Sequence, residues 1–227
     1  DELAYIINDA EDRVLFVHRS LLNAFEEIRD RVNIENVVVI PDEGPAPADC
    51  RDYEELISEQ SDKFESPPLD ERQASGMCHT SGTTGRPKGV LYSHRSTALL
   101  AMMSGMVDTV GMSERDCVLP VVPMYHANAW GLPYAATYVG AKQVFPGRDL
   151  SAAALLELFS SEKVTLTGGV PTVFMDVLRS LEERPGGWDL SSMRMMLIGG
   201  SAAPPSLIEG FDRHRLNVTH AWGMTEM

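Results

Sequence analysis

The chain has 227 residues, 44% of them hydrophobic, and a formal net charge of −14. This composition excludes an intrinsically disordered chain and suits one large or two small globular domains. The acid excess lies in the first third, where residues 1–72 hold 20 acids against 7 bases while residues 73–227 hold 13 against 12; no basic stripe forms, which argues against a nucleic-acid partner.

The most apolar long stretch, Ser96 to Met112, is interrupted by Ser104, Gly105 and Asp108, short of the ~20 apolar residues of a membrane span. A soluble chain is expected. Cys50, Cys78 and Cys117 are odd in number, far apart and without metal-ligand spacing, a usage that fits structural burial in a reducing, cytoplasmic compartment. The chain starts at Asp1 and stops one residue after Gly223-Met224-Thr225-Glu226, and both ends are expected to be cuts through a longer polypeptide.

Taken in chain order, Val14 to Val17 reads as a strand, Leu21 to Val32 as a helix through Leu21, Leu22, Phe25, Ile28 and Val32, and Val37 to Ile40 as a second strand. Loop residues follow from Pro41 to Asp49 and at Ser66-Pro67-Pro68. Gly76 to His79 and Val90 to Ser93 read as strands, Ser96 to Asp108 as a helix and Ala141 to Phe145 as a strand. Ala152 to Ser160 reads as a helix and Val164 to Thr167 as a strand. Pro171 opens a helix with an apolar face of Val173, Phe174, Val177, Leu178 and Leu181, which Pro185-Gly186-Gly187 ends. Met195 to Ile198, a helix after Pro204-Pro205, and Asn217 to His220 complete the alternation. The pattern predicts an α/β fold with mostly parallel sheets covered by helices and ligands at the carboxyl ends of strands. Two subdomains are expected, residues 1–92 and 93–227, both belonging to a chain cut at each end.

The strongest chemical signal is Thr80-Ser81-Gly82-Thr83-Thr84-Gly85-Arg86-Pro87-Lys88-Gly89. Its hydroxyls, backbone N–H groups and one ammonium suit a cluster of phosphate oxygens. It is no Walker loop, because Pro87 stands where the second glycine belongs, and the flanking strands mean that it opens no helix. Other chemistries lack their parts: no Gly-x-Ser-x-Gly elbow occurs, and His214 and His220 have no zinc-site spacing.

This loop resembles the phosphate loop of the adenylate-forming superfamily, which includes acyl-CoA synthetases, luciferases and peptide-synthetase adenylation domains. Three further strings resemble the family's motifs in the same order: Pro123-Met124-Tyr125-His126-Ala127-Asn128-Ala129-Trp130, then Gly199-Gly200-Ser201-Ala202-Ala203-Pro204, then His220-Ala221-Trp222-Gly223-Met224-Thr225-Glu226. Trp222 replaces the usual tyrosine of the last. The resemblance runs from about Val14 to the end, and Tyr125 to Tyr134 is most similar to medium- and long-chain fatty-acyl-CoA synthetases.

The resemblance implies activation of a fatty acid with ATP to acyl-AMP, release of pyrophosphate, and transfer to CoA. It assigns the phosphates to Thr80, Ser81, Gly82, Thr83, Thr84, Gly85 and Lys88, and Mg²⁺ to Glu226 with Thr80. Thr225 is implied at the α-phosphate, while Gly200, Ser201, Ala202, His220, Ala221, Trp222 and Gly223 wall the adenine and acyl-phosphate. His126 is implied near the reacting carboxylate, with Ala127, Trp130 and Gly200 at the substrate; Trp130 reads equally as a tunnel gate or a core residue. Met102-Met103 and Met195-Met196 read as tunnel lining or core filling. Similar enzymes continue into a smaller C-terminal domain with a catalytic lysine, so this stretch alone is expected to be inactive, and many are homodimers. Two alternatives stay open: a ligase that passes acyl-AMP to a carrier protein, and a nucleotide- or acyl-binding protein without catalysis.

Overall fold

The computed structural model describes residues 1–41, 44–80 and 85–227. Two compact units emerge, Asp1–Asp70 with His79–Val90, and Glu71–Cys78 with Leu91–Met227. The sequence suggests a single cut after residue 92; the structure gives residues 71–78 and 91–92 to the second unit. The cause is local bonding: the Ser75 hydroxyl donates to the Tyr92 carbonyl (3.1 Å), and the His94 and Arg95 N–H groups reach the Gln73 and Glu71 carbonyls.

The first unit opens with α1 (Glu2–Asp9) and continues through β1 (Val14–His18), α2 (Leu22–Glu26), β2 (Asn36–Ile40), β3 (Arg51–Asp52) and α3 (Tyr53–Ser58). Its sheet is parallel in the order β1-β2-β3, with Val17 opposite Val39. The core gathers Ala4, Ile7, Val17, Phe25, Ile28, Val37 and Val39. The helix expected over Leu21 to Val32 is instead the five residues of α2 between 3₁₀ turns at Arg19–Leu21 and Arg29–Arg31. Only Phe25 and Ile28 of its apolar set are fully buried while Leu21 is exposed, and a helix this short gains too little from packing to propagate. The Asp52 carboxylate starts α3 by accepting from the Glu54 and Glu55 N–H groups.

The remaining elements are β4 (Ala74–His79), β5 (Gly89–Ser93), α4 (His94–Ser104), β6 (Cys117–Pro120), a single turn α5 (Ala127–Trp130), α6 (Leu132–Val139), β7 (Lys142–Gln143) and α7 (Ala152–Ser161). They end with β8 (Leu166–Gly169), α8 (Pro171–Glu183), β9 (Met195–Ile198), α9 (Pro205–Arg213) and β10 (Val218–His220). Strands β4 and β5 form a two-stranded ribbon. Helix α4 begins two residues earlier than expected because Ser93 and Ser96 cap each other reciprocally, and Gly105 closes it.

The second unit is built on a parallel five-stranded sheet in the order β10-β9-β8-β6-β7. Side-chain alternation divides its core in two. Cys117 and Leu119 of β6 with Met196 and Ile198 of β9 meet Leu155, Phe159, Phe174, Val177, Leu207 and Phe211 of α7, α8 and α9. Val118, Leu166 and Leu197 face the other way, toward Ala101 of α4 and Leu132, Ala135 and Ala136 of α6. Burial of one such leucine or phenylalanine contributes about 1.5–3 kcal/mol. Of the three cysteines expected to be buried, Cys78 and Cys117 are, and Cys50 is only partly covered.

The chain passes from β6 to β7 on one side and from β8 to β9 on the other, so the strand order reverses between the neighbours β6 and β8. That is a topological switch point, where an open α/β sheet leaves a crevice at its carboxyl edge.

At the opposite, amino edge the sheet is locked. Asp116, just before β6, accepts from Arg194 Nε (2.7 Å) and Nη2 (3.1 Å), the Thr165 hydroxyl (2.7 Å) and the Ser113 N–H (2.8 Å). Arg194 also donates to the Val110 and Gly111 carbonyls. Burial pushes the Asp116 carboxyl up, and these donors outweigh it and hold the group below the ordinary aspartate range. No described helix is long and apolar enough to cross a membrane.

Candidate active site

In the first unit, the base of the phosphate-loop string is tied by two bonds between Thr80 and Lys88. The Thr80 N–H donates to the Lys88 carbonyl (3.0 Å), and the Lys88 N–H donates to the Thr80 hydroxyl oxygen (3.2 Å). Pro87 is buried between the exposed Arg86 and Lys88, which turns the lysine side chain outward. Gly85 takes φ +158. Ser81, Gly82, Thr83 and Thr84 lie outside the described residues.

In the second unit, the other three motifs occupy the carboxyl ends of β6, β9 and β10. After β6 the buried Val121 and Val122 lead to His126, and the next five residues all have positive φ: Ala127 45°, Asn128 51°, Ala129 52°, Trp130 56° and Gly131 72°. A left-handed turn of four non-glycine residues is rare, since each costs roughly 1–2 kcal/mol against the right-handed form, less for asparagine. The turn is held by Ala129 N–H to the His126 carbonyl (3.0 Å), Gly131 N–H to the Asn128 carbonyl (3.1 Å), and the Cys78 thiol to the Asn128 Oδ1 (3.3 Å). Ala129 is fully buried.

This strained turn does two things. It leaves Tyr125 and His126 exposed, and it folds the Trp130 indole back over the strand ends. A Cβ built on Gly168, Gly199 or Gly200 would lie 3.6, 3.4 or 3.9 Å from that ring. Trp130 is half-buried, so it is neither a free surface residue nor sealed in the core. Strain of this kind is characteristic of functional sites, where packing elsewhere offsets its cost.

Beyond β9, Gly199 approaches the next chain so closely that a Cβ would fall 2.6 Å from the Ala221 carbonyl. Only glycine fits there. Nε2 of His220 lies 3.4 Å from both the Ala203 N–H and the Ser201 carbonyl, joining the third motif to the fourth. Ala221 N–H extends the β10 pairing to the Ile198 carbonyl (2.8 Å). The chain then leaves the sheet with Trp222 and Glu226 exposed and Thr225 half-buried.

Within the second unit the fold therefore brings together His126, Trp130, Gly200, Ser201, Ala202 and His220–Glu226 along one edge of one sheet. Of the methionine pairs, Met102 and Met103 are exposed, Met196 is core, and Met195 is partly buried.

Three residues in or near these motifs received no site role from the sequence. Tyr92 of β5 donates its phenol to the Thr225 carbonyl at 2.6 Å. Burial pushes its pKa above the ordinary tyrosine value, reinforced by nearby Cys78 and Glu226. Asn128 and Cys78 hold the left-handed turn. Asn128 carried a signal, since asparagine tolerates positive φ; Cys78 and Tyr92 carried none.

The family model described as “AMP-binding enzyme” matches residues 1–227. The chain belongs to the AMP-binding enzyme family. It is 49% identical over 225 residues to a long-chain-fatty-acid–CoA ligase of Thermus thermophilus, covering 99% of this chain and 40% of that protein. It is 45% identical to a 3-methylmercaptopropionyl-CoA ligase of Ruegeria pomeroyi, covering 100% of this chain and 43% of the relative. A crystal structure of the anthranilate CoA ligase AuaEII in complex with anthranoyl-AMP superposes with a TM-score of 0.90 at 29% identity, over 99% of this chain and 43% of that one. The chain thus spans about two-fifths of the length of the curated relatives it matches.

Proposed function

We propose that the protein containing this chain is an AMP-forming fatty-acid–CoA ligase. The carrying observation is the gathering of His126, Trp130, the Gly199–Ala203 loop and Thr225–Glu226 at the carboxyl edge of a parallel sheet, in a chain of the AMP-binding family. Names of similar proteins support an acyl-CoA product and differ in the acid.

The chemistry sets the requirements. A carboxylate oxygen attacks the α-phosphorus of ATP, the bond to the β-phosphate breaks, and pyrophosphate leaves. At an effective dielectric of 20, two unit charges about 4 Å apart repel by roughly 4 kcal/mol, so the charges must be neutralised before attack. Lys88 and the hydroxyls of Thr80, Ser81, Thr83 and Thr84 hold the β- and γ-phosphates in this reading, with backbone N–H groups of Gly82 and Gly85. His126, exposed at the head of its turn, stabilises charge developing at the α-phosphate, and Thr225 donates to the same group. Gly200, Ser201, Ala202, His220, Ala221, Trp222 and Gly223 enclose the adenine. Ala127 and Trp130 border the acyl group. The CoA thiol then attacks the acyl carbonyl, and AMP leaves.

Among the described residues no group of three or more His, Cys, Asp or Glu could hold a metal. Mg²⁺ fits such a surface, because it takes one or two carboxylates and completes its shell with phosphates and water. Glu226, with the Thr80 hydroxyl, would hold it, and the ion would draw charge from the phosphates. CoA as acceptor, a homodimer and a cytoplasmic setting belong to the same reading by analogy.

The test is pyrophosphate release from MgATP by the full-length protein over a series of acid chain lengths, with and without CoA. Acid-dependent release accompanied by acyl-CoA is expected. Release without acyl-CoA would point to transfer onto a carrier protein, and no acid-dependent release from folded protein would overturn the reading.

A further inference from the structure

Tyr92 and Thr225 are 133 residues apart, yet the phenol donates to the Thr225 carbonyl in one of the shorter side-chain bonds of the second unit, 2.6 Å. The acceptor lies in a stretch with little other support. After Ala221 binds the Ile198 carbonyl, the chain to Met227 forms no helix or strand, and its next backbone bond among the described residues is a turn from Met227 N–H to the Met224 carbonyl (3.2 Å). Tyr92 itself stands on firm ground. Its carbonyl accepts from Ser75, and the following residue, Ser93, caps α4.

The geometry of the peptide gives this bond its reach. The Thr225 carbonyl and the Glu226 N–H share one planar unit. Holding the oxygen restrains that plane and the two Cα atoms within it, from which the Thr225 side chain leaves on one side and the Glu226 side chain on the other. A phenol suits the task because it is rigid, reaches far from the strand and offers a single proton.

We propose that Tyr92 is a positioning residue for adenylation: it clamps the Thr225–Glu226 peptide plane and so aims the Thr225 hydroxyl and the Glu226 carboxylate. The proposal rests on the roles given to those two residues above. Tyr92 acts through the backbone of those residues, by its bond to the Thr225 carbonyl. Loss of its hydroxyl leaves the carbonyl free to bind water, so the effect falls on orientation and little on folding.

The test compares Tyr92→Phe with wild type in the full-length protein. The maximal rate of acid-dependent pyrophosphate release is expected to fall about tenfold, the order of one hydrogen bond, with KM for the acid within about twofold and the thermal midpoint within about 2 °C. Conversion of supplied acyl-AMP and CoA to acyl-CoA should be nearly unchanged. In a double-mutant cycle with Glu226→Gln, the Tyr92→Phe loss should largely vanish, because the two act in one unit. Amide hydrogen exchange should speed up severalfold in residues 221–227 and nowhere else.

Wild-type adenylation in Tyr92→Phe, losses that multiply in the double variant, or equal losses in both half-reactions would each overturn the proposal. The exchange measurement requires no turnover: unchanged exchange in residues 221–227 overturns the clamp whatever the activity. Absence of acid-dependent release in wild type overturns the adenylation reading instead, so the two failures are distinguishable.

Discussion

The two edges of the five-stranded sheet follow opposite physical rules. At the amino edge, buried Asp116 accepts from Arg194, Thr165 and Ser113, and Arg194 spans from it to two backbone carbonyls. At the carboxyl edge the chain accepts four left-handed non-glycine residues and leaves Tyr125 83% and Trp222 75% exposed. One edge spends polar groups on rigidity. The other leaves aromatic, imidazole and carboxylate groups exposed and so accessible to a ligand, at a cost in backbone strain that the packed core beneath it offsets.

The contrast can be broken experimentally. The largest effect belongs to Asp116→Ala, which strands Arg194 without its partner. A loss of about 3 kcal/mol and roughly 10 °C in thermal midpoint is expected, with KM values unchanged in the protein that remains folded. A midpoint within 2 °C of wild type would show that this edge does not hold the sheet. Glu226→Gln should behave in the reverse way, with adenylation reduced on the order of 100-fold at an unchanged midpoint; steady-state pyrophosphate release and calorimetry together decide it.

Ala127→Val should lie between these extremes. A β-branched residue is a poor occupant of φ 45°, and about 2 kcal/mol of destabilisation is expected, accompanied by reduced adenylation because His126 precedes the turn and Trp130 belongs to it. Stability lost without any change in rate would separate the turn from the chemistry.

The smallest effect is a pH dependence. The folded-state pKa of Asp116 is lowered, so its contribution is present above the unfolded carboxylate value of about 3.9 and is lost as pH falls through the lower folded value. Asp116→Asn should flatten that part of the stability curve below about pH 4, measured by urea unfolding at several pH values. A wild-type acid limb retained in the variant would assign it to other carboxylates.

Much of the candidate site was legible because its motifs are contiguous strings. Thr80 to Gly89, Pro123 to Trp130, Gly199 to Pro204 and His220 to Glu226 each keep their residues adjacent in the chain, so side-chain type and spacing could be read without knowing the fold. The alternation of strands and helices was legible for the same reason. Met195–Ile198 was located to the residue, and Pro171 marked the start of its helix. Helix α6 and strand β6 were not recognised: Leu132–Val139 is apolar or aromatic except for Thr137, with no clear period, and Cys117–Pro120 is four residues long and ends in proline.

By itself, then, the sequence determined the α/β class, the order of the motifs and the family resemblance, because all three depend on local pattern. Tertiary structure alone decided the strand order and its switch point, the left-handed turn under Trp130, and the pairings of Asp116 with Arg194, Cys78 with Asn128 and Tyr92 with Thr225. Each of these joins residues 50 or more positions apart or holds a backbone that its own residues disfavour. Local propensity carries no information about partners at that distance, and strain is set by whatever packs around it.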